Sequence, residues 1–397
     1  MSRFLGVVSK SIMKKNVFWL LLFLLLWISI ELFSWLGLVI LKNVKSLAHK
    51  PFSSSFLTLE QEEIIQKLLS NQQTYLSHHP ILGWSIQPNG RNNEFSANSY
   101  GIRADREYSL EPSPNKIRIS TFGDSFTHGD EVATEATWQA YIEKINPHFE
   151  VLNFGVGGYG LDQSYLRHKL AGAQFNPQIV FIGYMIEDVE RTVNTFRPFY
   201  AEGSQIPLTK PRFILENDQL ILIDNPLPKL EDYVKLLNKD KATLAKIGKY
   251  DFYYNKKYYK GPFDFLPSVR FFKISKRQYQ ELTNERAREE AFRIDEKIFQ
   301  EFCDSITKHG ARPIIIIFPT EWDLYQKKNH NPIRYKNILE MLERNGFEYI
   351  DLLNAFNIDG NKYQIEELFS PWKHYSAFAN QIVAEYIVQY LKKTGTH

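Results

Sequence analysis

Ile117-Arg118-Ile119-Ser120-Thr121-Phe122-Gly123-Asp124-Ser125-Phe126-Thr127-His128-Gly129 is an apolar run that ends abruptly in small and polar residues. The first half has the length and β-branched content of a buried strand, and Gly-Asp-Ser falls where such a strand turns toward a helix. There Ser125 would present its hydroxyl and its own N–H at a strand end. That placement suits a nucleophile, which needs exposure, a base and an anion-stabilising backbone. A serine at this place would serve equally well as a helix cap, so the tripeptide acquires meaning only from what surrounds it.

Outward from this stretch, short β-rich runs alternate with segments of helical spacing. The sequence predicts strands at Ile117 to Phe122, Phe149 to Asn153, Ile179 to Gly183, Pro313 to Phe318 and Phe347 to Ile350. Helices are expected at Thr137 to Ile145, Leu161 to Gly172, Arg286 to His309, Tyr335 to Asn345 and Ser376 to Lys392. Such alternation implies an α/β domain with a parallel sheet covered by helices on both faces. Near-continuous apolar strands such as Ile314 to Phe318 fit double burial, and sites in such folds gather at the carboxyl ends of the strands. Between about Tyr200 and Glu285 the alternation stops. Pro207 to Ile223 reads there as two strands joined at Asn217-Asp218, and Tyr250 to Lys260 is a Tyr/Lys cluster. That cluster suits an exposed loop, and equally a platform for sugar rings or a lipid surface.

Two further blocks bear on chemistry. Val151-Leu152-Asn153-Phe154-Gly155-Val156-Gly157-Gly158-Tyr159-Gly160 ends a strand in repeated glycines. These allow close approach of backbone N–H groups to an anion, or simply a packing turn. The glycine spacing is not that of a dinucleotide fingerprint. Near the end of the chain, Ser370-Pro371-Trp372-Lys373-His374-Tyr375-Ser376 puts His374 on a loop ahead of the last helix, where an imidazole serves as base for a serine on the same rim.

In their order and strand-end placement, the three blocks resemble the SGNH (GDSL) hydrolase family over about 120 to 200 and 310 to 390. The resemblance implies a three-layer α/β/α domain and an acyl-enzyme mechanism, with Ser125 as nucleophile and His374 as base. It also implies an oxyanion hole formed by the N–H groups of Ser125 and Gly158. Asp124, Asn153, Gly155, Glu187 and Asp188 stand as supporting positions. The sequence departs from the family pattern twice. In place of Gly-x-Asn-Asp it has Gly183-Tyr184-Met185-Ile186-Glu187-Asp188, so Met185 or Glu187 replaces the amide donor, with Asn194 as a nearby substitute. One lost donor costs on the order of 100-fold or more in rate. The triad acid would fall on Pro371, which leaves a backbone carbonyl, Glu366, Glu367 or Asp351 to orient His374.

Val17 to Leu41 is about 25 apolar residues, longer as a helix than the hydrocarbon core is thick, and reads as a transmembrane helix rather than a cleaved signal peptide. Arg3, Lys10, Lys14 and Lys15 precede it, and Lys42, Lys45 and Lys50 follow, a slight bias to a cytoplasmic N-terminus. Glu31 within the span is either protonated or turned to the interface, or it faces a membrane-embedded protein partner. The expected organisation is a cytoplasmic N-terminus at 1–16 and the membrane helix at 17–41. A stalk helix, opened by Thr58 and Gln61 as a capping box, and an irregular approach segment occupy 42–113. The α/β domain fills 114–393, with an insertion at about 200–285.

A net charge of +3 gives no concentrated basic face for nucleic acid. The single cysteine, Cys303, excludes a disulfide framework, and the histidines lack metal-site spacing, so neither metal nor cofactor is expected. The expected function is a single-pass inner-membrane esterase with its domain on the periplasmic or extracellular side. It would act on acyl esters, such as O-acetyl groups, of cell-surface glycans or lipids. Its partners would be an acylated glycan or small ester and the membrane lipid around the anchor. The alternatives are an O-acyltransferase of a polysaccharide modification system, and a weakly catalytic or non-catalytic subunit that binds a glycan or a partner.

Overall fold

A computed structural model describes residues 2–43, 57–72, 74–201, 203–254, 262–263, 265–282, 285–360 and 362–396. They form two compact units, one of residues 1–55 with 254–285, the other of 56–253 with 286–397.

The first unit contains the helix Ser2–Asn43, in which Lys14–Leu41, 28 residues of mean hydropathy 2.3, is long and apolar enough to cross a membrane. A signal sequence would share those properties. The helix Pro267–Leu282 packs along it. Residues 255–260 of the Tyr/Lys cluster lie outside the described residues.

The second unit opens with the helix Leu59–Leu69, where the expected capping box forms: Thr58 Oγ1 accepts the Gln61 N–H and Gln61 Oε1 accepts the Thr58 N–H. An antiparallel pair follows, β1 (Leu76–His79) with β2 (Gly83–Ile86), where irregular structure with short edge strands is expected from about His79 onward. The central sheet consists of β3 (Ile117–Phe122), β4 (Phe149–Asn153), β5 (Ile179–Tyr184), β8 (Arg312–Ile317) and β9 (Tyr349–Asp351). All its pairings are parallel, in the order β4-β3-β5-β8-β9. The expected α/β class and parallel sheet are both present. Between β3 and β5 the winding direction reverses, and in doubly wound sheets the crevice at such a switch point is where ligands bind.

Strand periodicity sorts the core into two layers. Ile119, Val151, Phe181, Ile314 and Ile316 face one side and pack with the helices Trp138–Ile145 and Ala377–Lys393. Phe122 and Tyr184 face the other, meeting His168, Phe299 and Phe302 from the helical stretch after Leu161 and from the helix Glu285–Lys308. In the insertion, β6 (Arg212–Glu216) and β7 (Gln219–Ile223) form the expected hairpin. Asn217 and Asp218 both have positive φ, 50° and 62°, as a two-residue turn matching strand twist requires.

Candidate active site

At the end of β3, Asp124 caps a four-residue helix, Ser125–His128, by accepting the Phe126 N–H on Oδ1 at 2.9 Å. Ser125 is therefore the first residue of the turn, 7% exposed, at the mouth of the crevice. Glycine is required before it. A Cβ on Gly123 would lie 2.1 Å from Thr127 Oγ1, and one on Gly183 at the end of β5 would lie 2.0 Å from the same atom. Both strand ends are bare so that the serine-bearing turn can sit between them.

Ser125 lines a cavity of about 390 Å³ together with Phe126, Met185, Glu187, Arg191, Thr320, Glu321, Trp322, Arg334, Trp372, Lys373 and His374. The serine and the histidine, 249 positions apart in sequence, thus line one cavity, and the ring of Phe126 lies 5.4 Å from that of His374. His374 ends a tight turn in which the Ser370 N–H bonds the His374 carbonyl at 2.8 Å and Lys373 takes a φ of 73°.

The carboxylate that orients His374 is Glu131. Its Oε2 is 2.9 Å from His374 Nδ1 and accepts the His374 backbone N–H at 3.0 Å, while Oε1 accepts the Trp372 N–H at 2.7 Å. Gly129 (φ 82°) and Glu131 (φ 68°) reverse the chain after the Ser125 helix and aim the carboxylate at the histidine loop. A glutamate in the left-handed region is uncommon and carries backbone strain. Of the acids considered from sequence, Glu366 bonds Tyr325, Asp351 caps the Leu353 N–H and bonds Tyr335, Glu367 is exposed, and none of the three lines the cavity. No local signal in Gly129-Asp130-Glu131 distinguishes this carboxylate, because the pairing depends on a loop 243 residues away.

Beneath the serine lies a buried charge network. Arg191 Nη1 bonds Asp124 Oδ2 at 2.9 Å, Asp188 Oδ1 at 2.8 Å and the Tyr159 carbonyl at 2.7 Å. Burial disfavours the guanidinium charge, but the carboxylates of Asp188 and Asp124 outweigh it and hold Arg191 well above its ordinary pKa. In the third block Met185 and Glu187 do line the cavity and neither is a neutral amide donor. Asn194 does not replace one: its Nδ2 donates to Asp251 and to the Phe196 carbonyl, within the core. The cation in that region is Arg191, whose Nε is buried without a hydrogen-bond partner among the described residues.

The glycine block sits behind the serine turn. Asn153 ties the two together by donating to the His128 carbonyl at 3.0 Å and accepting the Gly155 N–H at 3.0 Å. Gly158 has a φ of 78° and faces Arg197 and Ile206; it does not line the cavity. The far wall is aromatic and basic. Trp322 and Trp372 are 47% and 82% exposed, and the Arg334 guanidinium stacks 4.8 Å over Trp322 while pairing with Asp323 at 3.0 Å and Glu187 at 3.6 Å. Trp322 rides on the helix Glu321–Lys328, which lies outside the helices expected from sequence although Thr320 and Asp323 form a capping box. Among the described residues no group of histidines, cysteines and carboxylates is arranged to hold a metal.

Sheet order, the Gly-Asp-Ser turn at the end of β3 and a histidine loop ahead of the last helix define a doubly wound α/β/α fold with a serine and a histidine on one cavity. No family model matches the chain, and no curated protein does. Solved structures similar to it include a lipolytic protein of the G-D-S-L family from Desulfitobacterium hafniense, at 12% identity over 69% of this chain and 99% of that one, with a TM-score of 0.35. An acetyl xylan esterase is 14% identical over 69% and 100%, with a TM-score of 0.36. A two-domain esterase active on acetylated mannans is 9% identical over 71% and 50%, with a TM-score of 0.36. Likeness at this level assigns no chemistry to this chain.

Proposed function

We propose that this chain is a membrane-anchored serine esterase of the SGNH type, acting on acyl esters, O-acetyl groups foremost, of glycans on the non-cytoplasmic side of a membrane. Ser125 Oγ attacks the ester carbonyl while His374 takes its proton, and Glu131 fixes the imidazole and compensates its positive charge. The tetrahedral oxyanion is met by the Ser125 N–H, with the Arg191 charge beneath the turn in place of the missing asparagine; Gly158, expected as a second donor, lies off the cavity and takes no part. His374 returns the proton to the leaving hydroxyl. A water activated by the same imidazole then cleaves the acyl-enzyme and regenerates Ser125. A sugar hydroxyl in place of that water would make the same site an O-acyltransferase.

The observation that carries this reading is the 2.9 Å contact of His374 Nδ1 with Glu131, on a cavity that also holds Ser125. The serine and the histidine thus line one crevice at a switch point, with a carboxylate bonded to the far nitrogen of the imidazole. Exposed Trp322 and Trp372 on the same cavity favour sugar rings as the substrate body, because flat aromatic faces stack on them. The apolar helix and the basic residues ahead of it support anchoring and the orientation.

The test is fluorophosphonate labelling of the detergent-solubilised full chain, with mass mapping of the adduct. Labelling at Ser125 that is lost in both Ser125→Ala and His374→Ala is expected. Folded wild-type protein that takes no label would overturn the esterase reading and favour a binding subunit.

A further inference from the structure

Glu31 lies in the apolar run of the helix Ser2–Asn43, where an ionised carboxylate without partners is strongly disfavoured. Its partner is within the same chain. Oε2 accepts the Ser268 N–H at 3.0 Å and Oε1 accepts the Ser268 hydroxyl at 2.6 Å. Ser268 stands in the first turn of the helix Pro267–Leu282, where amides have no acceptor inside the helix. One contact therefore satisfies both a carboxylate in the apolar run and a helix start.

A second contact fixes the direction of packing. A Cβ on Gly37 would lie 2.5 Å from Phe271 Cε2, so the phenylalanine ring rests on bare backbone there. From Glu31 to Gly37 and from Ser268 to Phe271, both helices advance together. Glu31 precedes Leu41 by ten residues, which places it about 15 Å from the C-terminal end of the apolar run, against a hydrocarbon core about 30 Å thick. The start of the helix Pro267–Leu282 lies beside that level.

Around this start the side chains are those of a lipid-facing segment. Phe263, Phe265 and Phe272 are 61%, 71% and 68% exposed, and Arg270 and Lys273 are interleaved with them. Exposed aromatics among basic residues mark interfacial helices, and in water they would form an unfavourable apolar patch. We propose that Phe263, Phe265 and the helix Pro267–Leu282 form a second membrane-embedded element, which enters the phospholipid bilayer beside the span to the depth of Glu31 and climbs back along it, held by the Glu31–Ser268 pair. This proposal rests on the reading of Lys14–Leu41 as a membrane span.

The test uses the full chain in a Cys303→Ala background with single cysteines at Leu24, Phe265 or Gln219. Each is labelled with an environment-sensitive fluorophore and reconstituted into phosphatidylcholine vesicles with or without nitroxide-bearing lipid. Emission is expected to be lost to the lipid quencher at Leu24 and Phe265 and retained at Gln219, which is exposed on β7. Quenching at Leu24 without quenching at Phe265 would overturn the embedded element and leave the span standing. Absence of quenching at both would overturn the span and the proposal with it. Glu31→Leu is expected to weaken quenching at Phe265 while sparing Leu24, and unchanged quenching at Phe265 in that variant would remove Glu31 from the account.

Discussion

Glu131 Oε2 lies 2.9 Å from Nδ1 of His374, a residue 243 positions further along the chain. The same carboxylate also accepts the backbone N–H groups of Trp372 and His374, so it shapes the loop as well as the imidazole. Glu131→Gln removes the charge and one acceptor oxygen together. The expected outcome is a fall in kcat of about 100-fold or more at little change in KM, in line with the worth of a positioned general base. Steady-state kinetics on a soluble acetyl ester checks this, and a kcat within threefold of wild type, on the order of 0.7 kcal/mol, would remove Glu131 from the mechanism.

Arg191 stands between Asp124 and Asp188, all three buried. Arg191→Met would leave two carboxylates facing each other without a cation. A loss of about 3–5 kcal/mol is expected, because breaking a buried ion network by removing one partner strands the remaining charge. The double variant with Asp188→Asn should recover part of it. Urea unfolding of the solubilised chain reads both, and an Arg191→Met protein as stable as wild type would contradict the network.

Trp372 contributes its backbone N–H to Glu131 and leaves its ring 82% exposed on the cavity. Trp372→Ala should therefore spare the Glu131 contact while removing a stacking surface. For an acetylated oligosaccharide kcat/KM is expected to fall about three- to tenfold, with turnover of a small aryl acetate unchanged. Equal losses on both substrates would place the ring in the chemical step and not in sugar recognition.

Asp295 accepts hydrogen bonds from Tyr184 at 2.8 Å and Thr192 at 2.6 Å beneath the third block. Burial pushes its carboxyl up to about 7, against an ordinary value of 3.8. With the folded value above the unfolded one, the stability that this group contributes is fully present below pH 3.8 and declines as pH rises to about 7, by at most about 1.4 kcal/mol per pH unit. Asp295→Asn should flatten that part of the stability curve, so that the variant gains on wild type between pH 4 and 7. Thermal unfolding across that range decides it; parallel curves would mean that Asp295 is ionised in the folded protein.

Local chemistry made much of this protein legible. Strands β3, β4 and β8 were placed within a residue because their apolar runs end in glycine or small residues, and the Asn217-Asp218 turn because few residues besides glycine adopt positive φ readily. Ser125 and His374 stand out as candidates because each occupies a strand-end or pre-helix loop set by its own neighbours, and both line one cavity. Contacts between loops escape that kind of reading. Arg191, Trp322 and Arg334 reach the cavity and Glu131 reaches His374 from four separate stretches, and Ser268 reaches Glu31 across 237 positions. A side chain's own sequence fixes its local backbone preference, but which distant group it meets depends on how the sheet orders its strands and where the loops land. The sequence alone therefore determined the α/β class and the apolar helix, and it singled out Ser125 and His374 as candidates. Only the tertiary structure decided which carboxylate orients the histidine, because that choice is made by the packing of two loops that share no stretch of chain.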